Sequence, residues 1–189
     1  MRRLVIALVA LGFVQVARAA EPAAPHHWDV TGGKPHDYSV SLDAVNPHGG
    51  KKSALIRSVV PNPTSFGALV QVFSAADYRG KRLRLSAFVR SRDVSQWAGL
   101  WMRLDGMNAQ VLAFDNMQNR AIKGDTEWQR YSVVLDVPEA ALAVYFGILL
   151  TGAGSVWLDD VSFDTVPSSV PTTGLPSIPP TPQNLDFEQ

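Results

Sequence analysis

Cysteine is absent from all 189 positions, so the chain has no disulfide framework, no thiol nucleophile and no cysteine-rich zinc site. An excess of charge is missing too. Its 17 basic and 17 acidic residues cancel, leaving no net field to draw it to nucleic acid or an anionic membrane. The densest basic cluster, Arg79, Lys81, Arg82 and Arg84, fits a solvated turn and strand edge better than a phosphate site. No stretch has helical periodicity over about 11 residues, and none approaches the roughly 20 apolar residues of a spanning helix. A nucleophile elbow, an H-E-x-x-H zinc helix and a P-loop are all lacking. The four histidines, His26, His27, His36 and His48, show no metal-ligand spacing.

What is present begins with Arg2 and Arg3, the apolar run Leu4 to Val14 and the small-residue pattern Ala17-Arg18-Ala19. This is the arrangement of a secretory signal peptide. Residues 1–19 are expected to be removed before Ala20, giving a periplasmic or secreted protein with no membrane span in the mature chain.

From Tyr38 onward, β-rich runs alternate with turn residues at short intervals, the pattern of an antiparallel sandwich. The expected strands are Tyr38 to Val45, Ser53 to Val60, Phe66 to Phe73, Leu83 to Arg90, Trp97 to Leu104, Gln110 to Gln118, Trp128 to Val137, Ala143 to Leu150 and Ser155 to Thr165. "SAADY" and Pro138 to Ala141 read as single helical turns. Asp105-Gly106 predicts a tight hairpin with positive φ. The fold class is therefore all-β: an antiparallel jelly roll of about eight or nine strands filling residues 20–166. Six prolines within Pro167 to Pro182 make residues 167–183 an extended linker rather than a strand.

Three short matches, in order, are Trp28-Asp29-Val30 with Gly32 and Gly33, then Trp128-Gln129-Arg130-Tyr131, then Trp157-Leu158-Asp159-Asp160-Val161-Ser162-Phe163. With them the chain resembles the galactose-binding-like β-jelly-roll carbohydrate-binding modules. That family opens on an N-x-x-F-E strand. Here the matching residues, Asn184-Leu185-Asp186-Phe187-Glu188, stand at the far end, after the linker. They are expected to complete the sandwich as a C-terminal strand, in the same domain or in a neighbour. The alternatives are an idle tail or the stub of a second module. The resemblance also implies a structural calcium ion, with Asp159, Asp160 and Glu188 at the matching positions; alternatively the two aspartates cap a strand or pair with arginines.

Strand alternation puts Trp97, Gly99, Trp101 and Arg103 on one face and Ala98, Leu100, Met102 and Leu104 on the core side. If neighbouring strands present Gln71 and Arg90 on the same side, a concave sheet face would carry Gln71, Arg90, Trp101, Arg103, Asp115 and Asn116. There an aromatic platform and fixed polar groups would suit a glycan or another small polar ligand. Alternatively Trp101 is packed and Arg103 and Asp115 form a structural ion pair. Trp28, Trp128 and Trp157 read as packing residues, and Tyr38 with His36 and Asp37 is the second place to look for a site. The expected function is an exported, non-catalytic binding module. A protein-interaction domain without a sugar site is the alternative, and a glycosidase using Asp105 with Asp115 the lesser one.

Overall fold

The computed structural model describes residues 24–174 and Leu185. The alternating runs form nine strands: β1 Asp29–Gly32, β2 Tyr38–Asp43, β3 Ser53–Ser58, β4 Phe66–Ser74, β5 Arg82–Asp105, β6 Val111–Asp115, β7 Ile122–Asp136, β8 Ala143–Thr151 and β9 Ser155–Val166. Every pairing is antiparallel, in the order β1-β4-β8-β5-β9-β3-β2, with β6 and β7 added on β5. This is the all-β jelly-roll sandwich that the alternation predicts. Between strands the described residues form only single turns of 3-10 helix, and none of their helices is long and apolar enough to cross a membrane.

The strand that organises the fold is β5. The sequence predicts two strands with a break at "SRDVSQ", whereas one strand of 24 residues runs through it. Its first half pairs with β7 and β9, its second half with β8 and β6. Register shifts between Val89 and Ala98, with Asp93 at φ 54, carry the chain from one layer into the other. Bulges re-aim a strand without ending its ladder.

Core residues come from the inward row of each layer: Leu83, Leu85, Ala87 and Val89 face Leu100, Met102, Leu104, Ile148 and Leu150, and all of them are buried. β8 lies between β4 and β5; its Val144, Phe146, Ile148 and Leu150 enter the core, while Leu149 on its other face packs with Ala68 and Trp101. One end of the interior is closed by aromatic rings set edge to face: Phe146 on Trp28 at 5.2 Å and on Phe163 at 4.9 Å, with Phe73 against both phenylalanines.

Two turns differ from expectation. The β5–β6 hairpin forms, but Gly106 has φ −99 and positive φ falls on Asn108 and Ala109 instead. Asp105 remains in the strand, in register with Val111 and Ala143, and its carboxylate is held by Arg103. β7 starts six residues ahead of Trp128, running through "KGDTE" with Gly124 at φ 62.

The expected linker is partly docked. Arg82 Nη1 donates to the carbonyl oxygens of Ser168 and Val170, and Thr173 N donates to Val134 O on the outer edge of β7. Residues 167–174 thus belong to the domain. Leu185 stands in a turn with 74% of its surface exposed; the rest of the expected C-terminal strand lies outside the described residues.

Candidate functional site

The alternation of β5 holds as read: Trp97, Gly99, Trp101 and Arg103 point away from the core. Cross-strand register then decides which residues join them. Trp101 faces Gly147 of β8, Gly99 faces Leu149 and Arg103 faces Tyr145, while Leu149 in turn faces Ala68 of β4. Small residues beside the indoles leave a groove on this outer face. A cavity of about 410 Å³ lies between Phe66, Trp97, Trp101, Phe114, Asn116 and Thr151. A smaller recess of about 180 Å³ continues past Trp101 and Arg103 to Tyr145 and Asp29.

Trp101 separates the two hollows. It packs with Ala68 and Leu149, flanked by Val70, Trp97 and Tyr145, and only 8% of it is exposed. Its indole Nε1 is buried without an acceptor among the described residues. Arg103 is fixed more completely. Its Nε and Nη2 donate to the two carboxylate oxygens of Asp105, both at 2.8 Å, and its guanidinium carbon lies 4.8 Å from the centre of the Tyr145 ring. A bidentate fork over an aromatic face holds the group rigid and cancels its charge locally.

Of the six expected ligand-binding residues, Trp101, Arg103 and Asn116 meet in this groove. Gln71 lines the recess beside Tyr145 and donates its amide to His27 O at 3.1 Å. Two expectations are corrected. Arg90 lies in the other layer, beyond the bend of β5, its guanidinium between the rings of Trp157 at 4.3 Å and Trp128 at 5.3 Å. Asp115 does not meet Arg103; it is buried in a clasp with Arg120 at 2.6 Å and the Thr173 hydroxyl at 2.6 Å. The ion pairs formed are therefore Arg103 with Asp105 and Arg120 with Asp115. Each carboxylate of the supposed glycosidase pair is held in its own arginine fork. Trp97 and Tyr145 were missed as groove residues. Trp97 was visible in the same alternation, whereas Tyr145 enters only through the β5–β8 register.

Tyr38 is likewise structural. Its buried hydroxyl donates to Ser65 O at 2.7 Å, with Gly152 O at 3.2 Å, and burial pushes its pKa up. Trp28, Trp128 and Trp157 pack as expected: Trp28 on Phe146, the other two on Arg90. Trp157 Nε1 also donates to Asp43 at 2.6 Å. The backbone N–H of Val45, then this indole and the charge of Arg90, hold the Asp43 carboxyl below its usual range.

At the position implied for calcium, Asp160 sits at φ 47, where β9 bulges between the residues facing Ser86 and Phe88. Asp159 accepts from the backbone N–H groups of His48 and Gly49, and Asp160 lies 2.6 Å from His48 Nδ1. These carboxylates clasp the His48–Gly49 loop; among the described residues no group of three or more His, Cys, Asp or Glu could hold a metal ion, and Glu188, the third residue the resemblance implies, lies outside them.

No family model matches the chain. The fold is that of the β-jelly-roll carbohydrate-binding modules. The xylan-binding CBM22-1 domain of Paenibacillus barcinonensis Xyn10C superposes with a TM-score of 0.53 at 16% identity, over 77% of this chain and 90% of that domain. The enzymatically active domain of bacteriophage CBA120 tailspike protein 4 gives 0.54 at 14%, over 75% of this chain and 20% of that one. At such identities the likeness is one of fold. In sequence the chain is similar to an uncharacterized HTH-type transcriptional regulator, YbfP of Bacillus subtilis (strain 168), 43% identical over 166 residues. The match takes in 86% of this chain and 56% of the regulator, so the chain spans just over half of that relative's length.

Proposed function

We propose that the chain is an exported, non-catalytic binding module whose outer-face groove holds a carbohydrate or another polyhydroxylated ligand. The observation that carries this reading is the groove itself: two adjoining hollows that share Trp101 and are walled by Trp97, Phe114, Tyr145 and the fixed Arg103. Trp97 and Phe114 offer flat apolar faces to the CH side of a sugar ring, and Asn116, Thr151 and Arg103 offer hydrogen bonds to its hydroxyls. The groove fits a neutral ligand better than an anionic one, because Asp105 already neutralises Arg103. Fold likeness to a xylan-binding domain makes xylan the first probe.

The regulator relative favours a second reading, in which this module is the ligand sensor of a transcription factor. Helix-turn-helix readers are helical, and the described residues contain no helix beyond single turns. The shared region would therefore supply something other than DNA contact, and the same groove would bind the effector. The two readings part at residues 1–19. Intact mass of the protein isolated from its native host, with or without those residues, separates them.

The groove itself is tested on immobilised glycans including soluble xylans. The parent is expected to be captured, and Trp97→Ala to bind at least about tenfold more weakly, a loss of 1.4 kcal/mol. Trp97 is half-buried on the surface of the sheet, so its replacement leaves the core closed. Failure of the parent to bind any glycan would overturn the reading.

A further inference from the structure

The groove does not end at Phe114 and Asn116. Both residues also line a third hollow of about 300 Å³, whose other walls are Asp115, Gln118, Asn119 and Thr173. The three hollows thus adjoin one another: the Tyr145 recess and the central cavity share Trp101 and Arg103 as walls, and the central cavity and this outer hollow share Phe114 and Asn116. The central cavity alone spans β4, β8, β5 and β6, three strand spacings or about 14 Å, which is longer than a single sugar ring.

Resting on the carbohydrate reading above, we propose that the outer hollow is an additional sugar subsite, built by the β6–β7 connection and by the docked segment 167–174, so that the ligand is an extended oligosaccharide. Phe114 is exposed between the central and outer hollows and gives a stacking face at their boundary. Beyond it the walls are amides, whose donors and acceptors match sugar hydroxyls. Asn116 Oδ1 accepts from Gln118 N and Asn119 Oδ1 accepts from Arg120 Nη1 at 3.0 Å, which orients both amides with their NH2 groups left for a ligand. The Gln118 side chain makes no hydrogen bond among the described residues.

The far wall is rigid before any ligand arrives. Thr173 Oγ1 donates to Asp115 at 2.6 Å and accepts from Val134 N at 2.7 Å, while Arg120 holds Asp115 and donates to Ser132 O. A preformed wall lowers the ordering cost of binding. Thr173 would be missing from this wall if residues 167–174 were a free linker.

Calorimetric titration of the full chain with xylo-oligosaccharides from dimer to hexamer tests the proposal. Affinity is expected to rise about tenfold or more between the dimer, which the central cavity accommodates, and the longest members. In the Gln118→Ala/Asn119→Ala double variant, with melting unchanged, the upper end of this ladder should flatten. Thr173→Val, which keeps the shape and removes the hydroxyl, should flatten it in the same way. A ladder already flat in the parent, or variants that weaken every length equally, would overturn the outer subsite and leave the groove reading standing. Absence of binding at every length would instead fail the carbohydrate reading, and the subsite with it.

Discussion

Gly147→Ala is expected to lower the melting temperature by about 6 to 20 °C. Gly147 has φ 159, and a Cβ there would overlap the carbonyl oxygen of Leu69, with Leu69 C at 2.9 Å and Val70 Cα at 3.3 Å. All of these are backbone atoms of β4, to which β8 is hydrogen-bonded over nine residue pairs, so none can yield without parting the two strands. A side chain in this glycine region costs about 1–3 kcal/mol in backbone strain, and forced overpacking about as much again. Together these give about 3–5 kcal/mol, and each kcal/mol shifts melting by about 2–4 °C at this size. The same glycine faces Trp101 across the β5–β8 pair, so the position that makes room for the indole is also the one least able to accept a side chain. Thermal melting followed by circular dichroism checks this, and a shift under about 3 °C would show that β4 and β8 can separate locally.

Asp115→Ala is expected to be the most damaging change of a charged residue, lowering stability by about 2–3 kcal/mol and opening residues 167–174 to protease. Its carboxylate accepts from both Nη atoms of Arg120, from the Thr173 hydroxyl and from Met117 N, and its side chain is only 5% exposed. Removing one member of a buried pair leaves the other uncompensated, at about 3–5 kcal/mol when both are fully buried. Arg120 retains 31% exposure, which brings the figure down. Limited proteolysis beside a urea melt tests both parts: loss of stability with residues 167–174 still protected would mean that Arg82 and the edge of β7 hold the segment alone.

The fate of Asp115 shows where sequence reading ends. The outward row of β5 was legible because strand alternation is a local property, fixed within "WAGLWMR" itself. Membership of a shared face across strands is not local. Arg90 lies on the same strand as Trp101 and was grouped with it, but the bulges between them send the two side chains to different layers. Asp115 is captured by Thr173, 58 positions later, in a stretch whose prolines read as linker. The prolines did exclude a regular strand. They could not exclude docking, since one hydroxyl and one N–H from Thr173 suffice to fasten the segment to β7. In the same way the "DD" of β9 is visible as a pair of adjacent carboxylates, while their partners, His48 and Gly49, come from a loop 110 positions away.

The most direct test of the groove reads the five tryptophan indoles by two-dimensional nitrogen–proton NMR while xylohexaose is titrated into the intact protein. Trp97 and Trp101 lie in the groove, whereas Trp28 is in the interior and Trp128 and Trp157 are on the opposite layer. Saturable shifts of the Trp97 and Trp101 side-chain signals, with the other three unmoved, are the predicted result. Shifts confined to Trp128 and Trp157, or no shift at any of the five, would contradict it.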